Sequence, residues 1–92
     1  PPWEAFKMKK PVIYSDLPGI REVLEDAVHY VSPMNSVDIA KAIKKIFDDQ
    51  DYKNKLIEKG FEKFKESENN DNFSQFFKII KDFKKYQKTW IL

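Results

Sequence analysis

Pro11-Val12-Ile13-Tyr14-Ser15-Asp16-Leu17-Pro18-Gly19-Ile20-Arg21-Glu22-Val23 holds a strand, a turn and the opening of a helix in one short run. Residues 11–14 are apolar, with Lys9-Lys10 before them and Ser15-Asp16 after. That pattern predicts a short buried strand opened by a proline, which a strand tolerates at its first residue. Pro18-Gly19 marks a turn, and Ile20, Val23 and Leu24 then recur at helical spacing. Ala27 to Val31 is a second β-rich run, stopped by Ser32-Pro33. Two short strands with a helix between them predict a parallel βαβ unit with a right-handed crossover. The link is short, so the strands need not be neighbours in the sheet.

Downstream, the chain turns helical. Asn35 is a good N-cap, and Asp38 three residues later suggests a capping box with Asp in place of Glu. Ile39, Ala40, Ile43, Ile46 and Phe47 share one face of the helix that follows. Asp48-Asp49-Gln50-Asp51 interrupts it and supplies acidic residues for the next helix start. Tyr52, Leu56, Gly60 or Phe61, and Phe64 carry that second helix to about Lys65. Ser67 to Asn72 reads as a polar break. Phe73, Phe76, Phe77, Ile80, Phe83 and Trp90 continue on a third amphipathic face.

Composition narrows the function classes. The 92 residues carry a formal net charge of +2. Residues 1–46 hold seven basic and six acidic groups, and residues 47–92 hold ten and nine, unlike the lopsided charge of a nucleic-acid binder. The chain has no Cys, which excludes disulfides, thiol catalysis and Cys-based zinc sites. One His excludes a multi-histidine metal site within the chain. No stretch approaches the ~20 apolar residues of a membrane span, so a cytoplasmic protein is the default expectation. Two strands are too few for a doubly wound sheet, whose strands need cover on both faces. The chain therefore reads as the last part of a larger α/β domain, with a sheet edge and a face expected to be open.

The run Pro1-Pro2-Trp3-Glu4-Ala5-Phe6, then Lys10-Pro11-Val12-Ile13, then Ser15-Asp16-Leu17-Pro18-Gly19-Ile20-Arg21-Glu22-Val23 closely resembles a known family. It is similar to the end of the nucleotide-binding domain of retaining GT-B glycosyltransferases in the glycosyl-transferase group-one family. Asp26-Ala27, Tyr30-Val31, Pro33, the helix from Asp38 to Ile43, Leu56 to Gly60 and Phe73-Ser74 extend the likeness in order. Lys9 departs from it, standing where the family usually has Gly, and Gln75 stands where a Trp often follows Phe-Ser.

The resemblance implies a partial Rossmann-like fold of α/β class, with a parallel sheet, helices and a helical C-terminal tail. Residues 1–72 would belong to the nucleotide-sugar-binding domain, and 73–92 to a helix crossing back to an N-terminal domain. Glu4 matches the second of two family glutamates and would hold the ribose of a nucleotide-sugar donor. A carboxylate suits that role because it can accept from two neighbouring hydroxyls. The first glutamate would lie eight positions earlier. Pro1 and Pro2 would shape the loop beside the diphosphate without donating to it, since proline has no N–H. No residue here is assigned a catalytic role.

The implied reaction moves a sugar from a nucleotide diphosphate donor, UDP-linked, to a saccharide or lipid-linked saccharide with retention. No cofactor or metal is expected, and the setting would be bacterial polysaccharide or lipopolysaccharide O-antigen assembly. The 92 residues alone are expected to be inactive, and to self-associate through their exposed edge.

Plainer readings stand beside these. Arg21 and Glu22 at a first helical turn, with Asp16, suit capping and surface pairing. His29, between Val28 and Tyr30, reads as a packing or surface residue and not as a ligand or base. The tail is the rival signal: Lys78, Lys81, Lys84, Lys85 and Lys88 surround Phe83, Tyr86 and Trp90, with Asp82 the single acid among them. Helix packing is its first reading and peripheral contact with the inner face of the cell membrane its second. Nucleic acid is a distant third, with no recognition motif to support it. The competing class is a stand-alone binding or adaptor module that uses this tail.

Overall fold

A computed structural model of the chain describes residues 2–69 and 72–92. Among these residues five α-helices, α1 (Pro2–Lys7), α2 (Ile20–Leu24), α3 (Ser36–Asp48), α4 (Gln50–Asn69) and α5 (Asn72–Phe83), surround a small sheet. The sheet is mixed, with β1 (Val12–Ser15) flanked by β2 (His29–Val31) and β3 (Thr89–Ile91). β1 and β2 run parallel, with Tyr14 opposite Tyr30, so the two strands of the predicted βαβ unit are neighbours. The architecture is α/β and compatible with part of a Rossmann-like domain.

β3 is the element that sequence periodicity misplaces. Trp90 does not continue the last helical face: α5 ends at Phe83, a short 3-10 turn spans Lys84–Tyr86, and Trp90 pairs antiparallel with Ile13. Ser15 fixes this return. Its Oγ donates to the Lys88 carbonyl at 3.0 Å and accepts from the Lys88 N–H at 2.9 Å, extending the ladder beyond Thr89. The C-terminal tail is thus helix followed by strand.

β1 is buried along its whole length because both faces are covered. Val12 and Tyr14 face a cluster built from α1, α2 and α5 around Trp3, Phe6, Ile20, Leu24 and Phe76. Ile13 faces a second cluster with Ala42, Ile46 and Leu56 from α3 and α4. Among the described residues neither face of β1 is therefore bare, and β3 occupies one flank of it. The Tyr14 hydroxyl is buried near Gln87 and Thr89, and burial pushes its pKa up to about 12.

The helix ends show how local sequence sets these elements. Asn35 Oδ1 accepts from the N–H groups of Val37 and Asp38 at 3.0 and 3.1 Å. Asp38 does not complete the capping box, because its Oδ2 accepts from Ser32 N–H instead. The buried face of α3 centres on Ala42 and Ile46, while Ala40 and Phe47 are exposed, Phe47 at 62%. Asp49 both ends α3 and caps α4, its side chain accepting from Tyr52 N–H at 3.0 Å. The predicted polar break at Ser67 is helix as far as Asn69, because Ser67 is buried and its Oγ bonds back to the Phe64 carbonyl. The rest of that break falls partly outside the described residues.

α1 and α4 meet at Phe6 and Gly60. A Cβ on Gly60 would stand 2.7 Å from Phe6 Cδ1, so the glycine lets the ring lie against the helix backbone.

Candidate functional site

The residues singled out for donor binding sit at the start of α1. Proline suits a first helical turn, where its missing N–H costs nothing. Pro2, Trp3, Ala5 and Phe6 are buried, which holds this six-residue helix to the core despite its length. Glu4 points the other way, exposed in the first turn. Among the described residues its carboxylate has no hydrogen-bond or ion-pair partner. It therefore remains open to a ligand, with two oxygens able to accept from adjacent hydroxyls. Pro1 lies outside the described residues.

The end of α1 explains the departure at Lys9. Lys10 N–H bonds to the Ala5 carbonyl and Lys9 N–H to the Phe6 carbonyl, the paired closure of a Schellman motif. That closure needs a left-handed residue, and Lys9 supplies it with φ 56°. Glycine is the usual occupant because it meets no Cβ penalty there. Here the lysine is accommodated, its Nζ 4.9 Å from the centre of the Phe61 ring.

After this turn β1 runs back along α1, so Glu4 lies toward the end of the sheet where β1 terminates. Trp3 and Tyr14 mark that end together, both packing on Phe76 at 5.6 and 6.1 Å between ring centres. Open α/β sheets bind ligands outside the carboxyl ends of their strands. The loop leaving β1 is tightly made. Asp16 N–H bonds to the Val31 carbonyl at 2.8 Å, Leu17 is buried, and Gly19 takes φ 85° to start α2.

Asp16, Arg21 and Glu22 do not form an acid–base set. Arg21 grips Asp16 through two bonds of 3.0 Å and lies 4.3 Å over the Tyr30 ring. Both partners are exposed, and the fork braces the loop. Arg21, Tyr30, Tyr52 and Lys55 line a cavity of about 300 Å³ that Glu4 does not reach. This cavity escapes sequence reading because it joins α2, β2 and α4 across a gap no local motif signals.

Of the two roles its sequence leaves open for His29, packing and surface, the structure shows packing. Its Nδ1 lies 2.6 Å from the Tyr52 hydroxyl, and the two rings meet edge to face. Burial lowers its pKa first and Lys45 second, against an opposing pull from Asp38. A lowered pKa means the unfolded chain binds the proton more readily. Stability from this group is therefore present above about pH 6.5 and is lost as pH falls toward the folded value. Urea midpoints near pH ~7.5 and ~5.5 should fall further in the wild type than in His29→Gln; parallel falls would contradict this.

Among the described residues no group of three His, Cys, Asp or Glu side chains is placed to hold a metal ion, and no helix is long and apolar enough to cross a membrane.

With this geometry in place, the sequence profile of the family described as Glycosyl transferases group 1 matches residues 1–63. The chain belongs to this family. No curated protein and no solved structure matches the chain. The matched region of this group 1 glycosyltransferase sequence runs from α1 through β1, α2, β2 and α3 into α4. It contains Glu4, the Lys9 turn and the loop between β1 and α2, and it stops before α5 and β3. Membership supports sugar transfer as the activity of the enzyme to which these residues belong.

Proposed function

We propose that these residues are the closing part of the nucleotide-sugar-binding domain of a retaining glycosyltransferase of GT-B architecture. The donor would be a UDP-sugar and the acceptor a hydroxyl of a growing bacterial polysaccharide or O-antigen. The observation that carries this reading is Glu4: an exposed, unengaged carboxylate on a helix held to the core by Pro2, Trp3, Ala5 and Phe6, within the family match. It would accept hydrogen bonds from the ribose hydroxyls and fix the donor's orientation. Its role is to position the donor; no group in these residues is assigned to the chemistry. The diphosphate leaving group would be stabilised by cationic side chains and helix N-termini elsewhere in the enzyme, without a metal ion.

The test is an assay with labelled UDP-sugars on two samples: the 92-residue chain and the natural gene product that carries it. The gene product should transfer sugar with the donor's anomeric configuration kept in the product, and the 92 residues alone should transfer none. Turnover by the 92 residues alone would overturn this reading, as would inverted product.

A further inference from the structure

We propose that the outward side of α5, with the segment that follows it, docks on an anionic lipid bilayer. The charge of the chain is divided along its length. Residues 1–71 carry twelve basic and fourteen acidic groups, whereas residues 72–92 carry five lysines and one acid, Asp82. Lys78, Lys81, Lys84, Lys85 and Lys88 are all exposed, and among the described residues none is in an ion pair.

The geometry of α5 separates this charge from the core. Phe76 is buried, and Ile79, Ile80 and Phe83 pack beside it against the cluster beneath. Helical spacing puts Phe77, Lys78 and Lys81 on the opposite side. Phe77 meets the Phe76 ring edge to face at 5.9 Å, yet 57% of it is exposed beside these lysines. Tyr86 and Ile91 add exposed apolar surface at 36% and 53%. Ile91 pairs with Val12, which puts it on the sheet face that α5 covers.

An anionic bilayer fits this combination. Lysines near such a surface are drawn to it, and exposed aromatic and aliphatic side chains settle at the headgroup boundary. The contact is peripheral, since no described helix can span a membrane. It also lies beyond the residues matched by the family profile and uses none of the residues assigned to the donor.

The experiment is sedimentation of the 92-residue chain with phosphatidylcholine vesicles, prepared with and without phosphatidylglycerol. The chain should sediment with the anionic vesicles only, and high salt should release it. Each lysine removed should weaken binding about fivefold, so the K81Q/K84Q/K85Q variant should lose roughly 100-fold. A control with the same charge change on α3 and α4, K41Q/K44Q/K55Q, should bind within about threefold of wild type. Phe77→Ser should weaken binding without changing its salt dependence. Failure to sediment with anionic vesicles would overturn the proposal and leave this face to a protein partner. Equal binding to both vesicle types, or an equal loss in the control, would overturn it as well.

Discussion

Phe6→Ala should lower the unfolding free energy of the chain by about 3–5 kcal/mol, close to half of what a domain of this size possesses. Phe6 is 1% exposed and joins α1 to α4, with Trp3 meeting it edge to face at 5.5 Å. α1 is too short to persist unaided, so loss of this anchor would free the helix that carries Glu4. The glycine opposite makes the claim specific. Gly60→Ala would gain about 1 kcal/mol of helix propensity, but its Cβ would meet the ring at 2.7 Å. The ring is enclosed and cannot swing away, so the substitution should be destabilising by about 1–2 kcal/mol net. In the Phe6→Ala background the obstruction is gone, and Gly60→Ala should become neutral or stabilising. Urea denaturation of the four proteins in this cycle measures the coupling. An equal effect of Gly60→Ala in both backgrounds would contradict the packing described here.

Elements with strong local signals were legible in the sequence. Pro11 to Tyr14 and the run ending at Val31 form the paired parallel strands, Asn35 caps α3, and Asp49 separates α3 from α4. What stayed hidden depends on contacts distant in the chain. Thr89 to Ile91 resembles the end of an amphipathic helix until β1 offers it an edge, with Ser15 bonded to the backbone of Lys88. Ser67 looks like a helix breaker by composition, yet burial and a bond to the Phe64 carbonyl keep it helical. Ala42, rather than Ala40, faces the core because the centre of a helix face depends on where its neighbours sit. At the candidate site, Glu4 could be singled out only by resemblance, since one exposed carboxylate at a helix start has no local signature. The structure adds that its surroundings leave it unengaged.

Glu4→Ala should weaken donor binding in the natural enzyme that carries these residues by about 10- to 100-fold. A hydrogen bond to a charged carboxylate contributes roughly 1.5–3 kcal/mol, and the exposed site sets the lower end of that range. The fold should be indifferent, because Glu4 is exposed and has no side-chain partner among the described residues. Loss of affinity with an unchanged unfolding midpoint would separate a binding role from a structural one. The complementary change is on the donor, where a ribose lacking its 2′ and 3′ hydroxyls cannot donate to the carboxylate. The decisive measurement is donor affinity across this cycle, wild type and Glu4→Ala against ribose and dideoxyribose UDP-sugars. A large loss is expected on the ribose donor and almost none on the dideoxyribose donor. Equal losses on both donors, or no loss on either, would contradict the assignment of Glu4 to the ribose.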